Sequence, residues 1–452
     1  MKTNQPPIPN DPGEMSRVEH TRMRRRIMYS MHEEDVRARL VQAVGSVRAT
    51  AWTRTPDMTS NPAWYVHSQL AALYGSMPEV VPPAGGEDVA AALADGGYWE
   101  LARRIQRDTL ALNDLFVRVD VDVDGGLYWR MVFPDLVEAQ PDRLRPGQPA
   151  SMKEWVQDPD DVGRWVQIVT DPRARIYRAL DDKGEDVSER VLGGDLSGER
   201  YPFLVGGEPV LNYVAYHAAE SGGLHDAYAG REVFDGALAL GVYYSYFGHV
   251  LRNVAWAQRY AIGAEPVGGS VDENGRAREL VTDPATLLML RQLEDHIGQV
   301  VIGQWSSPVE PDKLLSSIER YERRLIEMAL GQAGVSRRES DVRSAMSLAV
   351  SREAQRAAQR AYEPVFRRSD LRLLKLAAGL TGAPTEGWRI TYHAIGRDPS
   401  ELAAEADRLE RLVGANLEDR VTAYRTLHPG LDQAAAQAAV AQIAEINRRF
   451  AA

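Results

Sequence analysis

Apolar residues recur along this chain with two different periods, and the change from one to the other divides it. From Phe116 to Val123 the valines at 117, 119, 121 and 123 alternate with mostly polar neighbours, the period of a half-buried strand. Asp124-Gly125-Gly126 supplies a turn, and residues 127–133 a return strand. Further short strands are predicted at 165–170 and 176–180, with Asp182-Lys183-Gly184 as a turn, so residues 110–217 form a β-rich region. Before it, helical spacing predicts one helix from about Arg17 to Thr50. A second runs from about Glu87 to Thr109, after a loop marked by Pro78, Pro82, Pro83, Gly85 and Gly86.

Beyond residue 225 the pattern turns helical. Residues 226–258 lack strong turn signals and predict a long helix in spite of Gly230, Gly236, Gly241 and Gly248. A compact mixed segment follows over 259–310. It contains a strand at 260–262, a turn at Asp272 to Gly275, a helix capped by Asp283-Pro284 that runs to about His296, and a strand at 299–302. The next helix starts at Pro311-Asp312 and carries a stripe of Leu314, Ile318, Tyr321, Leu325 and Met328, the seam of a helix packed lengthwise on others. Glu319 and Arg323 add a favourable i,i+4 pair. Gly331 and Gly334 end this helix, and residues 335–339 make a short polar loop. Ser340 or Asp341 caps a third helix over 342–362, which stops before Pro364. A helix at 371–379, a strand at 388–393 and a helical remainder complete the chain. In that remainder Asn416 and Asp432 are read as caps, and His428-Pro429-Gly430 as a turn.

Composition narrows the class. With 452 residues, 44% apolar and 26% charged, the chain is long enough for several domains and is neither disordered nor fibrous. Its net charge of -11 has the opposite sign to that of a protein that grips nucleic acid by neutralising phosphates. Cysteine is absent, which excludes disulfides, thiolate nucleophiles and Cys-ligated metals. Residues 1–15 are Pro-rich and polar and read as disordered, without a signal-peptide pattern. The most apolar window, 236–251, holds tyrosines and His249 and then meets Arg252, too short and polar to span a bilayer. Arg22, Arg24, Arg25 and Arg26 stand near Glu19, Glu33, Glu34 and Asp35, which reads as a solvated, salt-bridged helix face, with nucleic-acid binding, or a capsid or scaffold contact, as the alternatives.

Candidate chemistry is sparse. Asp120, Asp122, Asp124 and Gly125 match the opening of a calcium loop, yet its twelfth position is Met131 where a bidentate acid is needed, and its flanks read as strands. No phosphate-cradling Gly-rich loop, zinc-binding helix motif or nucleophile elbow is present, and His217 and His225 lack ligand spacing. Tyr243, Tyr244, Tyr246 and Phe247 surround their helix with few basic residues between them, as in helix packing or a subunit interface. The residues therefore name no catalytic group, metal or cofactor. They leave open an enzyme with a dispersed carboxylate pair, or a helical scaffold or adaptor.

Several strings, in a fixed order, resemble the portal proteins of tailed phages. Asn113 to Arg118, followed by Pro134-Asp135-Leu136-Val137, is similar to a segment of the portal wing. Glu208 to Tyr213, Gly222-Gly223 and Arg231 resemble the approach to the first stem helix. The run from Ile318 to Val335 resembles the second stem helix, the run from Arg343 to Leu348 the helix after the tunnel loop, and Pro429-Gly430 with its flanks a crown. The resemblance covers residues 50–452 and implies an α+β, multi-domain portal-like architecture with long stem helices, a small α/β clip, a β-rich wing and an α-helical crown. It divides the chain into an N-terminal arm and helix (1–49), wing (50–225), first stem helix (226–258), clip (259–310), second stem helix (311–333), tunnel loop (334–341), wing and crown helices (342–395) and C-terminal crown (396–452).

By the same resemblance the tunnel loop, Val335, Ser336, Arg337, Arg338, Glu339, Ser340 and Asp341, faces DNA. Leu314, Ile318, Tyr321, Leu325 and Met328 form the stem interface, and Glu273, Asn274, Arg276, Arg278, Glu294 and Asp295 dock partners at the clip. The implied protein is a ring of twelve copies at one capsid vertex of a virion, made in the host cytoplasm and without enzymatic activity or cofactor. Double-stranded DNA would pass through it irrespective of sequence. Its partners would be the large terminase subunit, a head–tail adaptor and the major capsid or scaffold protein, with no membrane.

Overall fold

The computed structural model describes residue 6 and residues 12–53, 55–121, 126–161, 163–192, 201–219, 223–225, 231–255, 258–262, 264–266, 290–292, 299, 301–305, 310–330, 356–393, 399–415, 417–428 and 433–451. Helices α1 (Pro12–Met28), α2 (Glu33–Val44) and α3 (Ser46–Trp52) stand where the pattern predicts one helix. Ser30 at φ 55° and Gly45 at φ 81° break it, because neither backbone conformation propagates a right-handed helix. After α4 (Pro62–Leu70), a short strand β1 (Glu79–Val81) lies inside the predicted loop. The helix predicted from Glu87 is likewise split, into α5 (Glu87–Asp95) and α6 (Tyr98–Leu112). Gly97 takes φ 71° there, and a Cβ on Gly96 would stand 2.5 Å from the Trp129 ring. That site has room for glycine alone.

The β-rich region follows. β2 (Asp114–Val121) and β3 (Leu127–Val132) are the predicted hairpin arms; β4 (Val137–Pro141), β5 (Pro149–Gln157), β6 (Trp165–Asp171) and β7 (Ile176–Leu180) form an antiparallel meander. A short α7 (Ser188–Leu192), the two-residue pair β8 (Leu204–Val205) and β9 (Glu208–Pro209), and β10 (Tyr213–His217) complete it. β10 pairs with β2, so β2 is the centre of a three-stranded sheet and is buried on both faces up to Val119. This differs from the predicted single apolar face.

A long helix α8 (Arg231–Ala255) then leads to β11 (Gln258–Ile262), β12 (Ala264–Pro266), β13 (Leu290–Gln292) and β14 (Val301–Trp305), and α9 (Pro311–Ala329) returns. β13 corrects the helix expected over 283–296: residues 290–292 are extended and pair with β12. Later come α10 (Glu363–Thr381), β15 (Arg389–Thr391), α11 (Pro399–Gly414), α12 (Arg420–Leu427) and α13 (Gln433–Ala451). α10 is longer than predicted, because Pro364 falls in its first turn, where a missing N–H costs nothing. The cap of α12 is Asp419, whose Oδ1 accepts from the N–H groups of Val421 and Thr422 at 2.8 and 3.0 Å; Asn416, expected in that role, lies outside the described residues, as do Pro429, Gly430 and Asp432.

The chain divides into two compact units, one built from residues 1–9, 67–227 and 327–452, the other from 10–66 and 228–326. The segment 10–66 thus belongs with the long helix α8, a grouping the sequence-based division did not make. In the first unit, one core gathers Phe116, Val132, Met152, Tyr213 and Ala215, and a second gathers Val156, Ile168, Tyr177, Ala179 and Phe203. The register of β5 places Met152, Glu154 and Val156 on its inward face. Arg118 Nη1 neutralises the buried Glu154 carboxylate at 2.7 Å, and the Tyr213 hydroxyl donates to it at 2.8 Å. In the second unit α1, α2 and α3 pack on α8. The arginine cluster is salt-bridged but not solvated throughout: Arg26 makes a bidentate contact to Asp35 at 2.8 and 2.6 Å, whereas Arg22 and Arg24 are buried, with Arg24 over the Phe234 ring at 5.0 Å.

Candidate functional site

The second unit contains an antiparallel helix pair closed at one end by strands. α8 leaves into β11, and β14 feeds α9, with Gln258 opposite Trp305 and Ile262 opposite Val301. β12 and β13 form a second antiparallel pair, with Ala264 opposite Gln292. Antiparallel strand pairing satisfies the backbone groups of the described strands.

At one point of the pair, glycine faces leucine. A Cβ on Gly236 would lie 2.2 Å from Leu325 Cδ2, so α8 presents bare backbone to the α9 side chain. Further along, Glu322 carries the polar link: its carboxylate accepts from Tyr244 Oη at 3.0 Å and from Ser60 Oγ at 2.8 Å. Burial, and then the Glu322 charge, raises the Tyr244 phenol above its ordinary range, so it stays a donor at any physiological pH. On the rim, Tyr243 and Tyr321 meet edge to face with ring centroids 5.7 Å apart. On its other face α8 is held by α2, with Val36 against Gly241 and Arg39 on Asp235 at 2.7 Å.

The predicted stripe of α9 therefore divides. Ile318 is 4% exposed, Leu314 and Leu325 are half-buried, while Tyr321 is 40% and Met328 69% exposed. The cause is periodic: a straight helix turns in 3.6 residues, so a 3.5-residue stripe drifts around it. The inward line passes through Ile318, Glu322 and Leu325, and leaves Tyr321 and Met328 outside. Glu322 is the residue that sequence reasoning missed, since a charged residue beside an apolar seam reads as solvated. The tyrosine cluster on α8 supplied the missing signal: a phenol facing the seam calls for an acceptor.

Other predicted residues are less informative. Val335, Ser336, Arg337, Arg338, Glu339, Ser340 and Asp341 lie outside the described residues, as do Glu273, Asn274, Arg276, Arg278, Glu294 and Asp295. So do residues 342–355 of the third predicted helix; residues 356–361 are helical. Of the calcium-like string, Asp120 is described, and it accepts from Arg118 Nε at 2.7 Å and Asn212 Nδ2 at 3.0 Å within the β2–β3 sheet. Among the described residues, no group of acidic or histidine side chains is placed to hold a metal, and no helix is long and apolar enough to cross a membrane.

A second feature of unusual chemistry lies in the first unit. Asp370 of α10, fully buried, accepts hydrogen bonds from the hydroxyls of Tyr74 at 2.6 Å, Tyr392 at 2.5 Å and Tyr216 at 2.7 Å, and the Tyr216 hydroxyl shares a 2.8 Å contact with that of Tyr98. Burial pushes the Asp370 carboxyl up to about 6, against the three phenols, which favour its charged form. Through one acid the cluster joins the segment after α4, β10, α10 and the segment after β15, and Tyr98 adds α6 through Tyr216.

Comparison with known proteins places three gene transfer agent structures beside this chain. The first is the virion of a native gene transfer agent particle, at 16% identity over 83% of this chain and 91% of the other, with a TM-score of 0.43. The second is the neck of an empty particle computed with C6 symmetry, at 15% identity over 83% and 91%, TM-score 0.42. The third is the neck of a native particle computed with C12 symmetry, at 15% identity over 82% and 90%, TM-score 0.41. No family model matches the chain, and no curated protein does.

Proposed function

We propose that this chain is the portal subunit of a tailed-phage-like particle, a ring-forming conduit for double-stranded DNA with no turnover of its own. The observation that carries the reading is the α8–β11/β14–α9 arrangement: two long helices, in contact at Gly236 and Leu325, that carry an antiparallel strand ribbon at one end. In this reading the helix pair is the stem and the ribbon the base of the clip. The order of the resembling strings, from Glu208 to Gly382, agrees with that arrangement. Tyr243, Leu251, Val254 and Tyr321 remain exposed on the pair, and apolar side chains on a helix face are what neighbouring copies in a ring would cover. The clip then docks the terminase during packaging and an adaptor afterwards, and an acidic chain keeps passing DNA mobile.

Electron microscopy of the purified full chain tests this directly. The expected particles are closed rings around a central channel, of about twelve copies by the resemblance to tailed-phage portals. Monomers and dimers alone, over a wide concentration range, would overturn the proposal in favour of a helical adaptor.

A further inference from the structure

Helix α10 turns two faces to different surroundings. Phe366, Asp370, Leu373 and Leu374 are buried in the core. Val365, Arg368, Ser369 and Arg372, three and four residues apart, share the other face and line a cleft of about 240 Å³. The facing wall is the β4–β5 turn with Arg145, and His217 lines the cleft between them.

The neutral groups of this cleft are satisfied internally. Asp142 N–H donates to Gln148 O and Gln148 N–H to Arg145 O, both at 2.8 Å, which fixes the turn. His217 Nε2–H donates to Gly147 O at 2.6 Å and so fastens the turn to β10, and Ser369 Oγ donates to Ala215 O at 3.1 Å. Arg368 Nε donates to Pro364 O at 3.3 Å, whereas the charge of Arg372 is not balanced in the same way. On α10, Arg367 pairs with Glu363, and Lys375 with Glu386 at 2.7 Å. Among the described residues, no carboxylate pairs with Arg372. Burial, and then the like charges of Arg145 and Arg368, hold its guanidinium below the usual arginine range. The acid at the rim, Asp142, is already engaged by the N–H groups of Leu144 and Arg145 at 2.9 and 3.0 Å and by Arg173 at 3.4 Å.

A chain of net charge -11 that collects three guanidiniums around one concavity has built a place for an anion. Guanidinium forks match the oxygens of a phosphate in pairs, and a group carrying up to two charges suits three of them better than one carboxylate does. We propose that the cleft between Arg145, Arg368 and Arg372 is a phosphate-binding site. The phosphate is either a free anion or a phosphodiester of a nucleic-acid strand, and the same forks serve both.

Thermal melting and calorimetric titration of the full chain test the site, with inorganic phosphate against chloride at matched ionic strength and, in a parallel arm, with a short DNA duplex. Phosphate is expected to raise the wild-type melting temperature. Arg372→Met keeps the stem of the side chain and relieves like-charge crowding, so it is expected to melt no lower than wild type in chloride yet bind phosphate about tenfold more weakly. Lys375→Met, which loses a rim ion pair outside the cleft, binds as wild type. If Arg372→Met fails to fold, Arg145→Met on the exposed turn takes its place. Weakening of both arms assigns the site to backbone phosphates; weakening of the inorganic arm alone assigns it to the free anion. Either supports the site. A wild type that does not respond to phosphate, or variants that bind as it does, overturns it.

Discussion

At Asp370 a single buried acid is held by three phenols and, among the described residues, by no ion pair. Such a site stabilises the charged form by hydrogen bonds alone, and burial outweighs them, so the folded carboxyl titrates near 6 instead of near its ordinary 3.8. The folded chain therefore holds its proton more tightly than the unfolded chain between these two values, and stability falls as pH rises through that window. Roughly two pH units correspond to about 3 kcal/mol. Urea unfolding of wild type and Asp370→Asn from pH 4 to 7 is expected to show this slope in the wild type and its loss in the variant. Parallel profiles would show that the acid titrates normally. Neither this acid nor Glu154 is legible in the sequence. Each sits on an element whose pattern looks merely polar there, and its partners arrive from distant segments: Tyr74, Tyr216 and Tyr392 for one, Arg118 and Tyr213 for the other.

Elements were legible in proportion to their length. α9 and the β2–β3 hairpin follow from periodicity, because apolar spacing repeats often enough to be read, and α8 follows from its lack of turn signals. β1, β12 and β13 are three residues each, too short to repeat anything, and β5 hid because Glu154 occupies an inward position. The breaks at Ser30 and Gly45 were missed since apolar spacing continues across them. Glycines in α8 looked like defects in a helix, and two of them prove to be contacts. A Cβ on Gly241 would stand 2.8 and 2.9 Å from the Val36 methyls and 3.1 Å from the Asp57 carbonyl oxygen, whereas a Cβ on Gly248 meets nothing within 4 Å. Gly248→Ala is thus expected to raise the stability of the isolated chain by up to about 1 kcal/mol through helix propensity. Gly241→Ala gains the same propensity but overpacks the α2–α8 contact, for a net loss of about 1–2 kcal/mol. Chemical unfolding of the two variants side by side checks the contrast, and equal effects would show that α2 does not press on α8.

For the whole molecule, the divided stripe of α9 separates folding from assembly. Ile318 is buried within one chain, so Ile318→Ala is expected to cost about 2–4 kcal/mol whether or not a ring forms. Met328 is largely exposed and Tyr321 keeps one edge-to-face contact, with Tyr243, so their truncation is expected to cost the isolated chain no more than about 1 kcal/mol. In the proposed ring these side chains would be buried against neighbours, and each copy would repeat the loss around the circle. The double variant Tyr321→Ser, Met328→Ser is therefore expected to fold as wild type while its mass in light scattering shifts from the ring to the monomer. An unchanged ring population would place the subunit interface on another face of the helix pair. A lowered melting temperature in the monomer would mean that these two residues belong to the fold of the chain itself.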